Sequence, residues 1–78
     1  MSKLREILLE YWWREDRDFS KIKIFIIHRG AKGNVKVIEG REVVKISKGS
    51  LKLRDVEIPL HRVIKVTYSG KVIYRKRG

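Results

Sequence analysis

Two His-Arg pairs are the residues in this sequence best suited to chemistry. His28 and Arg29 lie in the segment FIIHRGAKGN, while His61 and Arg62 lie in EIPLHRV, and the chain has no other histidine. Arginine presents a planar fork of N–H donors, and histidine keeps one N–H donor even when it is neutral. If the fold brings the two pairs together, they would form a site for a phosphate group.

A loop that contains glycine follows the first pair. Gly30, Gly33 and Asn34 can adopt positive φ, and Lys32 adds a positive charge among them. Backbone N–H groups can approach an anion closely where no side chain intervenes, so the loop is expected to add donors to a phosphate site. Closing a turn is the simpler role of such residues, and the residue types alone favour it.

The charge distribution points to a polyanionic partner. The chain has 20 Lys and Arg against 9 Asp and Glu, a net charge of +11. Residues 1–20 carry a net −1 and residues 21–78 carry +12, so the positive field belongs to the part after the first helix. These basic residues are interleaved along predicted strands, whereas a membrane-surface protein would carry them on an apolar helix. We therefore expect nucleic acid and no membrane.

Composition excludes several classes of protein. A chain of 78 residues is one domain, 1–78, with a thin core and a shallow groove or cleft. Without cysteine it has no disulfide framework and no thiolate metal site, and two histidines give too few ligands for a metal enzyme. No cofactor is expected. Because no segment resembles a signal peptide or a membrane span, we expect a cytoplasmic protein.

The amino-acid usage is also typical of organisms that grow at high temperature. Charged residues make up 37% of the chain, which has no Gln or Cys and one Asn. Ion-pair networks need both signs in similar number, so a thermophilic origin would not explain the net positive charge.

Apolar periodicity predicts an N-terminal helix that starts at Ser2 and ends near Arg14. Its apolar face has the spacing i, i+3, i+4, i+7, i+8. From Lys21 onward the period becomes two, which predicts strands near 21–27, 35–38, 43–47, 50–54, 62–68 and 71–77. Pro59 predicts a strand edge or a bend, and Ser69-Gly70 predicts a two-residue hairpin turn. The expected fold is α+β: the helix packs on a curled, mostly antiparallel sheet or small barrel of five or six short strands.

The order of the motifs IHRGAKGN, VIEG and IPLHRVIKV behind an amphipathic helix resembles a family of small basic proteins common in archaea. That family is described as an RNA cyclic-phosphate end recognition domain and is also classed as an uncharacterised protein family. The similarity covers nearly the whole chain, and IPLHR is its more specific motif. Lys32 is a departure, because the family often has proline at this position.

The resemblance implies an RNA-binding module that recognises RNA 3′ ends carrying 2′,3′-cyclic phosphate. RNA-processing or repair enzymes would be its partners, and the oligomeric state stays open. The implied phosphate-binding residues are His28, Arg29, Gly30, Lys32, Gly33, His61 and Arg62. Stacking on a terminal base would contribute about 1–3 kcal/mol, and four aromatic residues are candidates for it. They are Tyr11, Trp13, Tyr68 and Tyr74.

Three other interpretations remain open from the residues alone. The histidines could simply cap strands, with the arginines solvated or paired with Asp55 and Glu57. His28 and His61 could act as general base and general acid in an RNA phosphodiesterase or a cyclic-phosphate hydrolase. The +12 region could also coat nucleic acid without preference for an end.

Overall fold

The computed structural model describes residues 3–27 and 32–76, with the backbone alone for Lys32. It begins with helix α1, Lys3–Trp13, so the helix ends one residue before the predicted end. Leu4 and Leu8 on the predicted apolar face are buried, and Trp12 packs against the core from the same face. The predicted cap, Ser2, lies outside the described residues.

Four strands form an antiparallel sheet in the order β2-β1-β6-β7. They are β1 (Ile22–Ile27), β2 (Val35–Glu39), β6 (Val63–Tyr68) and β7 (Lys71–Arg75). Along β1 the isoleucines at alternate positions are buried and the residues between them are exposed or half-buried, as the period of two predicts. One face of this sheet therefore covers the core.

A second antiparallel sheet has the order β3-β4-β5. Its strands are β3 (Val43–Ile46), β4 (Ser50–Leu53) and β5 (Glu57–Pro59). Pro59 lies on the edge strand β5, in agreement with the strand edge or bend that the sequence predicts. Its missing N–H is tolerated there because an edge strand has a neighbour on one side only. The Ser50 hydroxyl, which is buried, donates a hydrogen bond to the carboxylate of Glu57 across this edge.

The helix and the inner faces of both sheets enclose one hydrophobic core. Its most fully buried side chains come from α1, β1, β2, β4 and β6. They are Leu8, Ile22, Ile24, Ile38, Leu51, Val63 and Val66. Because every layer contributes to the same cluster, the described residues form one packed unit.

The strand count and the sheet arrangement differ from the sequence-based expectation. The described residues contain seven strands, compared with the five or six expected, and they form two open sheets of four and three strands. The additional strand, Glu57–Pro59, has three residues and ends in proline, so it lacks the alternation from which strands are predicted. The α+β class holds, and a closed small barrel is not confirmed.

Tight 3₁₀ turns lead directly into several strands. Phe19–Lys21 precedes β1, Gly40–Glu42 precedes β3 and Leu60–Arg62 precedes β6. In the third of these turns, the N–H of Val63 donates to the carbonyl of Leu60. The second His-Arg pair is therefore held in a hydrogen-bonded turn at the start of a strand.

The predicted hairpin turn between β6 and β7 is present. Ser69 has φ 50° and Gly70 has φ 86°, the pair of positive values that a tight two-residue hairpin requires. The Ser69 N–H also donates to the Lys21 carbonyl at 3.1 Å, which ties the turn to the start of β1. Among the helices of the described part, none is long and apolar enough to cross a membrane.

Candidate nucleic-acid interface

Strand register brings four strand termini to one end of the four-stranded sheet. Ile27 at the end of β1 pairs with Val35 at the start of β2, and Ile26 pairs with Val63 at the start of β6. Arg75 at the end of β7 pairs with Lys65, also near the start of β6. We call this the basic end of the sheet, and we use the name for the four cations on and beside β6 and β7, which are Arg62, Lys65, Arg75 and Lys76. Lys36 on β2 pairs with Ile26 but lines the groove beside the three-stranded sheet, so it is not counted among them.

His61 and Arg62 lie at the basic end, in the turn that leads into β6, and both side chains are exposed. The Lys76 ammonium group donates to the His61 carbonyl at 2.7 Å, and the Lys76 N–H donates to the Ile64 carbonyl at 2.9 Å. Lys76, the residue that follows β7, is therefore fixed against this turn and lies next to the second His-Arg pair.

The cations at the basic end have no acidic partners among the described side chains. Lys65 and Arg75 face each other across β6 and β7, a like-charge pair that disfavours the sheet. Arg62 forms no ion pair with another described residue, so the pairing with Asp55 or Glu57 weighed from the sequence does not occur there. An unneutralised cluster of this kind is suited to a polyanion.

The first His-Arg pair, His28 and Arg29, and the Gly30 that follows it lie outside the described residues. The backbone of the following turn is described, and Gly33 and Asn34 have φ 73° and 59°. Both adopt the positive φ that the sequence predicts, immediately before Val35 at the basic end.

Tyr11 and Tyr68, two of the four predicted stacking residues, lie at the opposite end of the sheet. Their ring centroids are 4.9 Å apart, and the Arg17 guanidinium lies over both rings, at 4.7 and 5.8 Å from the centroids. Arg17 also donates to the Tyr11 hydroxyl at 3.1 Å. Since Tyr68 ends β6 and Val63 begins it, about 17 Å separates this cluster from the basic end. Their role in base stacking stays a prediction.

The other two predicted stacking residues differ in exposure. Trp13 ends α1 and is 75% exposed. Tyr74 lies on β7 near the basic end, where it pairs with Val66 and packs against the core beside Ile7. Neither ring has a described contact that tests the predicted stacking.

Phe25 is an aromatic residue near the basic end that was not predicted as a site residue. It lies between the buried Ile24 and Ile26 on β1, so its ring is on the face of the sheet that points away from the core. The Lys65 ammonium group lies 4.4 Å from the ring centroid. The apolar character of both faces at the end of β1 was the sequence signal that could have identified Phe25.

The connection after α1 contains the shifted titrating groups. A hydrogen bond from the Arg14 guanidinium, at 3.1 Å, lowers the pKa of the Asp16 carboxyl, and the same contact raises the pKa of Arg14. The Ser20 hydroxyl and N–H both donate to one Asp18 oxygen, at 2.6 and 3.0 Å, and lower the pKa of Asp18. Asp18 thereby caps the turn that leads into β1, while Arg14 and Asp16 form an ion pair with each other.

The described part also has an open groove of about 610 Å³ beside the three-stranded sheet, with both signs of charge on its walls. It is lined by Lys36, Arg41, Glu42, Val44, Leu53, Arg54, Asp55 and Val56. Within 3–27 and 32–76, no group of three or more histidine, aspartate or glutamate side chains is arranged to hold a metal ion.

A known protein family matches nearly the whole chain. Residues 1–76 match the family described as the MJ1316 RNA cyclic group end recognition domain. The chain belongs to this family. Membership confirms the resemblance carried by the two His-Arg motifs, and the description of the family supports RNA as the partner.

Archaeal proteins named UPF0248 are similar to the chain over most of its length. One from Thermococcus onnurineus is 41% identical over 80 residues, which cover 97% of this chain and 87% of the relative. One from Methanocaldococcus jannaschii is 33% identical over 76 residues, covering 95% and 94%. One from Methanopyrus kandleri is 39% identical over 59 residues, covering 76% and 80%. No solved structure matches the chain.

Proposed function

We propose that the chain binds the 3′ end of RNA at the basic end of the four-stranded sheet and prefers a 2′,3′-cyclic phosphate terminus. The observation that supports this proposal most directly is the exposed His61-Arg62 turn, which Lys76 contacts and which no described carboxylate neutralises. Family membership supplies the class of ligand.

The chemistry of the terminus suits such a site. A cyclic phosphate has one negative charge, two non-bridging oxygens and no free hydroxyl on the terminal ribose. Arg62 can offer two parallel N–H donors to the two oxygens, and the His61 ring can offer a third. A terminal ribose with two free hydroxyls lacks the anion that these donors would bind, so it should bind less tightly.

Chain connectivity supports a role for the first His-Arg pair in the same site. His28 follows Ile27 directly, and consecutive Cα atoms are about 3.8 Å apart. Ile26 pairs with Val63, which directly follows Arg62. Each pair therefore adjoins one of two neighbouring strand termini. We include His28, Arg29, Gly30, Lys32 and Gly33 in the proposed site on this basis.

A titration of two otherwise identical RNA oligomers tests the proposal. One oligomer ends in 2′,3′-cyclic phosphate and the other in a 2′,3′-diol, and the intact chain should bind the first more tightly by about tenfold or more, because a charge-assisted hydrogen bond contributes about 1.5–3 kcal/mol. His61→Ala and Arg62→Ala should each reduce this ratio strongly. Arg54→Ala, which removes an exposed arginine beside the other sheet, is the matched control and should leave the ratio unchanged.

The same titration distinguishes the alternatives. Equal affinity for both RNA ends and for duplex DNA would refute end recognition and would favour general coating of nucleic acid. Recovery of the RNA after incubation tests for hydrolysis, because loss of the cyclic end, slowed by His28→Ala with binding intact, would identify an enzyme.

RNA-processing or repair enzymes as partners, a cytoplasmic setting and a thermophilic source belong to the same proposal. A domain that only recognises an RNA end needs a second activity to act on that end. Co-purification with an RNA ligase or nuclease activity would support this part of the proposal.

A further inference from the structure

The outward face of the four-stranded sheet is open near the basic end. Its central side chain is Phe25, and Ile27, Val35 and Val37 around it are 46%, 37% and 44% exposed. The described helix and the second sheet pack on the opposite, inward face. The outward face is therefore an apolar surface that is exposed at Ile27, Val35 and Val37 and has the half-buried ring of Phe25 at its centre.

Cations border this surface on the side of β6 and β7. Lys65 is directly opposite Phe25 in the ladder, and Arg75 is opposite Lys65 on the next strand. The three side chains form one row across the sheet. A row made of an aromatic ring, an ammonium group and a guanidinium group combines a base-stacking surface with two phosphate-binding groups.

We propose that this face binds the single-stranded nucleotides that precede the RNA 3′ terminus, with a base stacked on Phe25 and the backbone phosphates bound by Lys65 and Arg75. The proposal rests on the function proposed above, because it extends the ligand from the terminal group to the adjoining chain. Phe25 and Ile27 are two residues apart on β1, so the ring lies about 7 Å from the strand terminus. One continuous strand of RNA could therefore occupy both.

The ammonium group of Lys65 lies where a stacked RNA base would be placed. It now lies over the Phe25 ring, a contact that contributes about 2- to 5-fold in equilibrium terms at an exposed site. Stacking of one base contributes about 5- to 150-fold. A base can therefore replace the ammonium group over the ring, and Lys65 is then free to pair with a phosphate that also neutralises its repulsion of Arg75.

Charge favours RNA over an apolar protein partner for this face. Covering the surface with apolar side chains would bring Lys65 and Arg75 into a drier environment with their mutual repulsion uncompensated. A polyanion supplies the compensating charge in the same step as it covers the apolar surface. Single-stranded RNA also presents unstacked bases, which a duplex does not.

The experiment compares a mononucleoside 2′,3′-cyclic phosphate with oligonucleotides of two, four and eight nucleotides that carry the same 3′ end. For the intact chain, affinity should rise with the first added nucleotides. Phe25→Leu keeps an apolar side chain on β1 and should lower affinity for the four-nucleotide RNA by about tenfold, while its affinity for the mononucleotide should change less than about twofold. Phe25→Tyr retains a ring for stacking and should bind like the original chain.

Substitution of the lysine gives an independent measurement. Lys65→Met should lower the slope of log affinity against log salt for the four-nucleotide RNA by about 0.7, the value for one phosphate contact on a single strand. Lys52→Met, an exposed lysine on β4, is the matched control and should leave the slope unchanged. Circular dichroism of each variant verifies that the fold is retained.

Ring resonances provide a readout that does not depend on any substitution. The chain has two phenylalanines, and Phe19 packs edge-on against Trp12, with ring centroids 4.9 Å apart, so it serves as an internal reference. On addition of the four-nucleotide RNA, the NMR ring signals of Phe25 should shift while those of Phe19 stay in place.

The outcomes separate this inference from the function on which it rests. If the mononucleotide and the short RNAs bind equally and Phe25→Leu changes neither affinity, the outward face does not bind RNA, and the comparison with the diol end then decides end recognition separately. If cyclic-phosphate and diol ends bind equally at every length but Phe25→Leu still weakens the longer RNAs, the face binds RNA and the end-recognition proposal fails. Absence of any RNA binding overturns both.

Discussion

Asp18 shows how single side chains fix the connection between α1 and the sheet. Its carboxylate accepts two hydrogen bonds from Ser20, and its N–H donates to the Tyr68 hydroxyl at 3.2 Å. The first contacts cap the turn Phe19–Lys21, and the last joins that turn to the end of β6. The connection between α1 and β1 is thus ordered by specific contacts.

Acid should weaken this cap. The hydrogen bonds from Ser20 lower the pKa of Asp18 in the folded protein below the ordinary value for aspartate, about 3.9. The stabilising contribution is therefore complete above that value, and it is lost as the pH falls through the lower folded pKa. Thermal unfolding followed by circular dichroism between pH 7 and pH 2 should show Asp18→Ala less stable than the original chain at pH 7.

The difference between the two proteins should shrink at the acidic end of that series. Asp16 also has a lowered pKa, because of Arg14, so part of the acid sensitivity should survive in the Asp18→Ala variant. Identical melting temperatures at pH 7 would contradict a capping role for Asp18.

At the scale of elements, two turns pack closely against each other at Gly40. A Cβ atom built on Gly40 would lie 1.8 Å from the backbone oxygen of Phe19 and 3.0 Å from the Phe19 ring. The turn Gly40–Glu42 can therefore lie against the turn Phe19–Lys21 because residue 40 has no side chain. This contact joins the start of β3 to the start of β1, so it couples the two sheets.

Gly40→Ala should accordingly destabilise the fold. Overpacking against backbone that cannot move away costs about 1–3 kcal/mol or more, which corresponds to about 4–8 °C in melting temperature per kcal/mol for a domain of this size. Gly49→Ala is the control, because a Cβ atom at Gly49 would have no other atom within 4 Å and Gly49 does not have a positive φ. A melting temperature for Gly40→Ala equal to that of the control would show that the two turns can separate without cost.

Periodicity predicted the elements well because it reports on local geometry. The alternation of β1, the helix face that contains Leu4 and Leu8, and the Ser69-Gly70 turn all follow from spacings within a few residues. The pairing of β1 with β6, separated by about forty positions in the chain, is not encoded in any local pattern. For that reason the division into two sheets could not be predicted.

The candidate site shows the same limit. Residue chemistry identified His61 and Arg62, and the strand order then explains how they come to adjoin the end of β1. The separation of Tyr68 from Arg62 is already contained in the predicted strand 62–68, whereas the position of the end of β1 beside Val63 depends on strand order, which the sequence does not show. A phenylalanine within an apolar strand is usually buried, so the sequence position of Phe25 does not by itself identify it as a site residue.

At the scale of the whole molecule, the salt dependence of RNA binding should be set by the cations of the basic end and not by the total positive charge. Four cations at the basic end, Arg62, Lys65, Arg75 and Lys76, can each contact a phosphate. The slope of log affinity against log salt for single-stranded RNA with a cyclic-phosphate end should then be about −3. Filter binding or fluorescence anisotropy at salt concentrations between about 50 and 300 mM measures this slope.

Three lysines on and beside the three-stranded sheet test whether RNA binding depends on the basic end alone. Lys45, Lys48 and Lys52 are exposed, and replacing all three by Gln should leave the slope unchanged although it removes three positive charges. If the slope instead decreases in proportion to the charge removed, the chain coats RNA through its whole surface.

The tight turn at Ser69-Gly70 is a suitable place to attach a label for single-molecule measurements of RNA binding. It lies a full strand length, about 17 Å, from the basic end, and Lys71 beside it is exposed. Because the chain contains no cysteine, Lys71→Cys would introduce a unique thiol for a dye or for attachment to a glass surface. The protein would then be immobilised with its proposed RNA-binding end pointing into solution.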